Sequence, residues 1–303
     1  MRAAVISAGS NSCRLLIARI DADQPHVEHH DIRITRLGEG VSASGVLSPP
    51  AMERSLAAIE EFAQLGKQAD RLLAIGTAAL REARNASDFI ARVRQITGVE
   101  MRVLSGEEEA RASFDGALWA LDRAGRTPAG AVTVIDIGGR STEFASRAQP
   151  ADRVTLVSLP LGAVRMTERF FKHDPPRAEE LNACRTAVRM ELHAAPAQSV
   201  GNLVFVGGTA DTTARMLYAY DPTSAVHVGA VRRADLEDLL RLTSSLPLEQ
   251  RKRLHGLPES RAEIFPAGLA IIDEIVSRAG VQEFTVSESD LLVGFLLETI
   301  RMG

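Results

Sequence analysis

The chain has 303 residues, a formal net charge of −4 and an apolar fraction of 45%. This length suffices for two compact lobes, each with its own core. The mild negative charge argues against a protein that coats nucleic acid, because such binding needs a basic surface that neutralises many phosphates. Aromatic residues make up only 4% of the chain, which also disfavours binding of single strands by base stacking.

The N-terminal residues MRAAVISAGSNSCRLLIARI contain an apolar run that polar residues interrupt, so they do not resemble a signal peptide. No other stretch is long and apolar enough to span a bilayer. The two cysteines, Cys13 and Cys184, lie far apart in the sequence and predict no disulfide framework. We therefore expect a cytoplasmic protein with no membrane partner.

The first half of the chain predicts an α/β lobe. Apolar strands at 3–7 and 15–20 flank a turn of small and hydroxyl residues. The other predicted elements are strands at 71–77 and 101–104, a helix that starts at Pro49 and ends at Gly66, a helix at 87–97, and a helix that opens at SGEEEA. The polar segment 122–130 is the predicted linker, which gives lobes at 1–127 and 128–303.

The second half opens as the first half does. The apolar strand 131–136 is followed by the glycine-rich turn IGGRS and the strand TEFAS. This weak internal repeat predicts duplicated lobes. The remaining segments alternate between the two element types, with helices predicted at 163–172, 177–194, 233–245, 262–279 and 290–301 and strands at 154–159, 203–207 and 283–287.

Three glycine and hydroxyl segments each follow an apolar strand: GSNS (9–12), GGRST (138–142) and GGTADTT (207–213). Glycine lets backbone N–H groups approach an anion closely, and the hydroxyls add donors. One such segment is more often a tight turn, but three in one chain favour a phosphate-binding cleft. No G-x-G-x-x-G sequence opens a helix after a strand, which argues against a Rossmann dinucleotide site.

Carboxylates accompany these loops. Asp136 ends the strand before the second loop and Glu143 follows that loop, where both could hold Mg²⁺ or orient an attacking water. Glu107, Glu108 and Glu109 lie at the start of a predicted helix, where acidic side chains usually stabilise the helix dipole. At most one or two of these three are candidates for catalysis.

Seven segments stand out by their order and spacing: AVISAGSNSCRLL, IGTAALREARN, VLSGEEEARASFDGA, VIDIGGRSTEF, LPLGAVRMTERF, FVGGTADTTARM and ESRAEIFPAG. Together they resemble the exopolyphosphatase / guanosine pentaphosphate phosphohydrolase (Ppx/GppA) family over essentially the whole chain. The resemblance implies a two-lobed, actin-like ATPase fold, a duplicated ribonuclease H-like α/β fold with its active site in the cleft between the lobes. It also implies inorganic polyphosphate or guanosine pentaphosphate as substrate, and a homodimer.

The resemblance implies a role for each motif. In the S-G-E-E-E-A motif, Glu109 is the expected general base. Asp136 and Glu143 match catalytic carboxylates that bind Mg²⁺ or position water, and Arg81 matches an arginine that contacts the anionic substrate. The other expected substrate contacts are Gly9, Ser10, Asn11, Ser12, Arg14, Gly138, Gly139, Arg140, Ser141, Thr142, Gly207, Gly208 and Thr209.

Two positions depart from the family pattern. The first motif has Ser7 in place of an aspartate, and the loss of this carboxylate is expected to weaken Mg²⁺ binding. The second motif has Arg140 in place of its third glycine, and a guanidinium can hold phosphate oxygens bidentately. We therefore expect Arg140 to take over part of the metal's role in binding the polyanion. If instead Arg140 points to solvent, the enzyme would be weak or inactive.

The leading interpretation is an exopolyphosphatase-type phosphohydrolase that releases terminal orthophosphate by water attack assisted by Glu109. Two alternatives stay open. One is a non-catalytic member of the family that binds polyphosphate or a guanosine alarmone as a sensor. The other is a small-molecule phosphotransferase of the actin-like kinase group, which the sequence context of Glu109 disfavours.

Overall fold

The computed structural model describes residues 1–194, 201–218 and 228–302, which form two mixed β-sheets with helices around them. The first sheet contains β1 (Arg2–Ala8), β2 (Ser12–Asp21), β3 (Gln24–Ile34), β4 (Arg71–Gly76) and β5 (Met101–Val103). The second contains β6 (Val132–Ile137), β7 (Thr142–Arg147), β8 (Thr155–Leu159), β9 (Asn202–Val206), β10 (Val228–Arg232) and β11 (Glu283–Ser287).

Helices connect and cover the two sheets. Those of the first half are α1 (Val41–Ser44), α2 (Pro49–Leu65), α3 (Ala78–Glu82), α4 (Ala86–Thr97) and α5 (Gly106–Arg123). Those of the second half are α6 (Ala163–Phe170), α7 (Ala178–Ala194), α8 (Gly207–Tyr218), α9 (Arg233–Ser245), α10 (Leu248–Arg251), α11 (Phe265–Ala279) and α12 (Leu291–Met302). Over the described ranges, none of them combines the length and the apolar character that crossing a bilayer requires.

The two sheets share one topology. In the first, with the order β3-β2-β1-β4-β5, the antiparallel meander β1-β2-β3 continues into the parallel strands β4 and β5. In the second, β6-β7-β8 form the same meander and β9 and β11 take the places of β4 and β5, with β10 added antiparallel at the edge. This repeat confirms the predicted duplicated, actin-like α/β fold.

Two helices cross between the sheets. From α5, Phe114 and Ala117 pack against Val134 of the second sheet. From α12, apolar side chains pack on the first sheet around Val5 and Leu16. The two helices also contact each other closely, because a Cβ on Gly294 would collide with the backbone of α5. The domain boundary at 127/128 stays a prediction. Across it, α5 from the first half packs on the second sheet, and α12 from the second half packs on the first sheet.

Two strands were not predicted. β3 is an edge strand whose sequence, QPHVEHHDIRI, is largely polar and only partly buried, so it lacks the apolar alternation that marks a strand. Charged residues and Pro25 suit an edge, where one side of the strand needs no partner. β10 is the short edge strand of the second sheet, and it too gives a weak sequence signal.

Candidate active site

The first predicted phosphate loop is a tight turn between β1 and β2. The N–H of Gly9 donates to the carbonyl of Ser12 at 3.0 Å, and the N–H of Gly38 donates to the carbonyl of Ser10 at 2.8 Å. Ser10 and Asn11 are buried and Ser12 is partly buried. The segment that follows β3 therefore covers this loop and fixes its shape.

The second loop repeats this geometry between β6 and β7. The N–H of Gly138 donates to the carbonyl of Ser141 at 3.0 Å, as Gly9 does to Ser12 in the first loop. The two loops touch, since a Cβ on Gly139 would lie 3.3 Å from the Cβ of Ser10. A side chain at position 139 would thus crowd the contact between the loops of the two sheets.

The third segment is not the loop that we predicted. β9 runs directly into α8, so Gly207, Gly208 and Thr209 form the first turn of a helix, with Gly207 at φ +84°. The first turn of a helix presents unpaired N–H groups and a positive dipole end to an anion. A Cβ on Gly207 would lie 2.5 Å from Oδ1 of Asp136, so this helix start lies at the same carboxylate as the second loop.

Candidate functional residues follow equivalent strands in the two sheets. In the first sheet, the segments after the parallel strands β4 and β5 carry Arg81 and Glu109. In the second sheet, Asp136 lies at the end of β6, while Gly207 and Asp290 follow β9 and β11. Open α/β sheets bind ligands at the carboxyl ends of their parallel strands, so duplication of the fold gives two such edges.

Asp136, which is partly buried, and Glu143, which is buried, form a pair. They lie directly opposite each other on β6 and β7. Burial, and repulsion from Asp290, raise the pKa of Asp136 to about 6, while burial and repulsion from Asp136 raise the pKa of Glu143 to about 7. Hydroxyls hold both groups: Ser113 donates to Asp136 at 2.6 Å and Ser158 to Glu143 at 2.8 Å.

This pair makes the stability of the metal-free protein depend on pH. The raised pKa values mean that the folded state binds protons more tightly than the unfolded state between about pH 4 and pH 7. With chelator present, the melting temperature should therefore fall as the pH rises from about 5 to about 8. Thermal denaturation of Glu143→Gln, which removes one titrating group, should show a weaker pH dependence. An equal slope in both proteins would contradict this assignment.

The pair also fits Mg²⁺. Carboxylate oxygens are its usual protein ligands, and Mg²⁺ often takes only one or two of them together with phosphate oxygens. The described ranges contain no convergent group of three His, Cys, Asp or Glu residues, so a metal here would rest on Asp136, Glu143 and the substrate. The hydroxyl of Ser7 is buried without a hydrogen-bond partner, which marks the place of the carboxylate that the family pattern has there.

The three glutamates at the start of α5 have different surroundings. Glu107 is exposed, and Glu108 closes a capping box with Ser105. Glu109 is only 7% exposed and forms an ion pair with Arg81. Arg81 also donates to the carbonyl of Leu104 at 2.7 Å. The structure thus separates a solvated residue and a capping residue from one buried carboxylate that Arg81 holds in place.

Three further charged residues belong to this region. Arg14 forms an ion pair with Asp290, which is nine-tenths buried. Arg261 packs its guanidinium over Gly208, where a Cβ would collide with it. Burial lowers the pKa of Arg261, and among the described residues it has no ion pair. The sequence predicts no role for Asp290 or Arg261, although Arg261 lies in ESRAEIFPAG, one of the segments that resemble the family.

Several predicted phosphate contacts make internal contacts instead. The hydroxyl of Thr142 donates to the carbonyl of Leu161 at 2.7 Å. Ser141 is only 6% exposed, and Thr209 is buried against Gly268. In this arrangement these hydroxyls stabilise the loops and leave phosphate to backbone N–H groups and arginines.

Arg140 differs most from its prediction. Its side chain does not point to solvent, because it is 1% exposed, and its guanidinium donates to Glu82, Ser42 and the carbonyl of Gly38. These protein acceptors already satisfy the donors of the Arg140 guanidinium, so it does not require a phosphate as a partner. The hypothesis that Arg140 replaces the metal therefore has no support in this geometry.

Known proteins resemble the chain over its full length. Exopolyphosphatase 2 of Mycobacterium tuberculosis is 34% identical, with 98% of each chain covered. A bifunctional 3-dehydroquinate synthase/phosphatase of Fusobacterium nucleatum is 28% identical and covers 98% of this chain, which corresponds to 46% of that protein.

Solved structures agree with these relatives. The Ppx/GppA family member of Aquifex aeolicus has a TM-score of 0.81 at 30% identity, with 100% of this chain and 98% of that chain covered. An exopolyphosphatase-like protein has a TM-score of 0.92 at 26% identity, with 99% and 98% covered. The model of the Ppx/GppA phosphatase family matches residues 16–301. The chain therefore belongs to the Ppx/GppA phosphatase family.

Proposed function

We propose that the protein is an exopolyphosphatase-type enzyme that releases terminal orthophosphate from inorganic polyphosphate. The observation that carries the proposal is the buried carboxylate of Glu109, held by an ion pair with Arg81. The start of α5 also packs on Ser158, which donates to Glu143. A fixed carboxylate next to an anion-binding region is the arrangement that base-assisted attack of water on phosphate requires.

In the proposed reaction, the oxygen of a water forms a bond to the terminal phosphorus while the bond from that phosphorus to the bridging oxygen breaks. Glu109 accepts a proton of the water, and the shortened polyphosphate leaves with the bridging oxygen as its new terminal oxygen. The transition state of phosphoryl transfer is loose and needs mainly alignment of water and neutralisation of the phosphoryl oxygens. The first turn of α8, the two glycine loops and the guanidinium groups of Arg14, Arg81 and Arg261 would supply this neutralisation. Mg²⁺ held by Asp136 and Glu143 would further polarise the phosphoryl oxygens.

A second candidate is a protein that binds polyphosphate or guanosine pentaphosphate without turnover. The orphaned hydroxyl of Ser7 favours it, because the missing carboxylate weakens the metal site on which turnover depends. The substrate-binding residues would be the same in both cases. The difference lies in whether bound phosphoanhydride is cleaved.

A phosphate-release assay distinguishes these functions. Long polyphosphate, tripolyphosphate, guanosine pentaphosphate and ATP would each be tested over a Mg²⁺ titration, with and without a small-molecule acceptor. We expect orthophosphate release from polyphosphate that needs no acceptor. Tight binding of polyphosphate or guanosine pentaphosphate without release of orthophosphate would establish the sensor. Transfer of phosphate to the acceptor, with no orthophosphate released in its absence, would establish a phosphotransferase.

A further inference from the structure

The largest fully buried side chain in the described ranges belongs to Arg140. It starts in the second phosphate loop and ends among residues of the first half of the chain. Its Nη1 donates to the carbonyl of Gly38 at 3.0 Å, and its Nη2 donates to Ser42 at 2.9 Å. Nε and Nη2 both donate to Oε2 of Glu82, at 2.9 and 2.6 Å. A buried guanidinium is stable only with such a complete set of partners.

The space for this side chain depends on a glycine opposite it. A Cβ on Gly38 would lie 2.7 Å from Cδ of Arg140 and 3.0 Å from Cβ of Ser10. Any larger residue at 38 would thus displace either the arginine or the first phosphate loop. Gly38 and Arg140 therefore fit each other, and their contact joins the segment after β3 to the second loop.

Glu82 has a second arginine partner from the same side. Arg165, on α6, forms an ion pair with Glu82 and donates through Nε to the carbonyl of Arg140 at 2.8 Å. Nearby, Glu168 of α6 accepts from the N–H of Gly40 at 2.8 Å. One carboxylate from the first half of the chain is thus held between two guanidiniums from the second half.

Glu82 is the immediate neighbour of Arg81 on α3, which has five residues. A helix of this length is not stable alone, so tertiary contacts set its orientation. Two adjacent residues of α3 therefore have different partners: Glu82 forms an ion pair with Arg140, and Arg81 forms an ion pair with Glu109. A shift of α3 would therefore move the arginine that holds the proposed base.

We infer that Arg140 is a positioning residue that acts on catalysis through Glu82 and α3, and that it makes no contact with the substrate. This inference rests on the proposed function, because it takes Glu109 as the base. Arg140 and Glu82 act as one unit, so loss of either partner has the same consequence. The consequence is misplacement of Arg81 and Glu109 while the phosphate loops stay in place.

Kinetics test this role with Arg140→Met, which keeps the side-chain volume and removes the charge. We expect kcat for polyphosphate to fall by about 10- to 100-fold with KM changed less than about 3-fold, because small misplacements of catalytic groups have effects of this size. Glu82→Gln should behave alike, and the double variant should be no slower than the worse single variant. Arg84→Met is the matched control, since Arg84 bonds to the carbonyl of Ser44 and not to Glu82, and it should keep wild-type kinetics.

Hydrogen exchange without substrate gives a readout that does not need activity. Exchange of residues 78–82 should rise in Arg140→Met and Glu82→Gln and stay at the wild-type level in Arg84→Met. If the wild type released no phosphate, the proposed function would fail, but hydrogen exchange would still test whether Arg140 and Glu82 hold α3 in place.

An increase in KM at unchanged kcat would show that Arg140 binds phosphate. Unchanged kinetics together with unchanged exchange would show that the Arg140 side chain does not position α3. Either result overturns the inference. If Arg140→Met does not fold, Glu82→Gln alone decides both readouts.

Discussion

Replacing Glu109 by glutamine is expected to lower kcat for phosphate release by about 100- to 10,000-fold, which is the usual contribution of a positioned general base. Glutamine keeps the shape of the side chain and can still accept a hydrogen bond from Arg81, so the local structure should survive. It cannot accept a proton from water. Binding of polyphosphate, measured by titration calorimetry, should change little.

The matched control is Glu107→Gln, two residues earlier on the same helix. Glu107 is exposed at the start of α5, so this variant loses a similar amount of helix-dipole stabilisation without touching the cleft. It should keep nearly full activity. Equal losses in the two variants would mean that the base has been assigned to the wrong member of the cluster.

Replacing Asp136 by asparagine is expected to lower kcat/KM by about 100-fold or more and to raise the Mg²⁺ concentration needed for half-maximal activity. The loss of even an indirect metal partner commonly costs 10- to 100-fold in affinity or activity. Asparagine can still accept the hydrogen bond from Ser113. It removes a negative charge beside Glu143, whose pKa should fall, since repulsion from Asp136 helps to raise it.

A suitable comparison is Asp152→Asn, because Asp152 is an exposed turn residue whose carboxylate accepts the N–H of Gln149. Phosphate release by this variant should match the wild type at every Mg²⁺ concentration. The metal titration gives the decisive result for Asp136. If Asp136→Asn kept the wild-type dependence on Mg²⁺, the metal would have to be held elsewhere.

The parts of the fold with strong local signals could be predicted. The apolar strands around the first two glycine turns, and the recurrence of that pattern after residue 130, indicated the duplicated sheets correctly. β3 could not be found in this way, because its pairing with β2 uses the backbone and most of its side chains are exposed or only partly buried. The same glycine pattern at 207–209 did not reveal that β9 runs straight into a helix.

The positions of candidate site residues were predictable where a local backbone pattern determines them. The orientation of a long side chain was not predictable, because it depends on tertiary contacts. Asp136 follows from its place at the end of a strand. The direction of Arg140 depends on the vacancy at Gly38 and on Glu82, which are distant in sequence. Asp290 contributes to the site only because β11 lies beside β9 in the sheet, and the order of strands is not visible in any single motif.

The exchange of α5 and α12 has a consequence for how the molecule can be divided. α5 precedes residue 127 but covers the second sheet, and α12 ends the chain but covers Val5 and Leu16 of the first sheet. A fragment that ends at residue 127 would keep a helix whose sheet is missing and would expose the apolar face that α12 covers. Each half therefore completes part of the core of the other. The face of the first sheet that α12 covers stays open until α12 has been synthesised, whereas α2 and α4 already cover the opposite face.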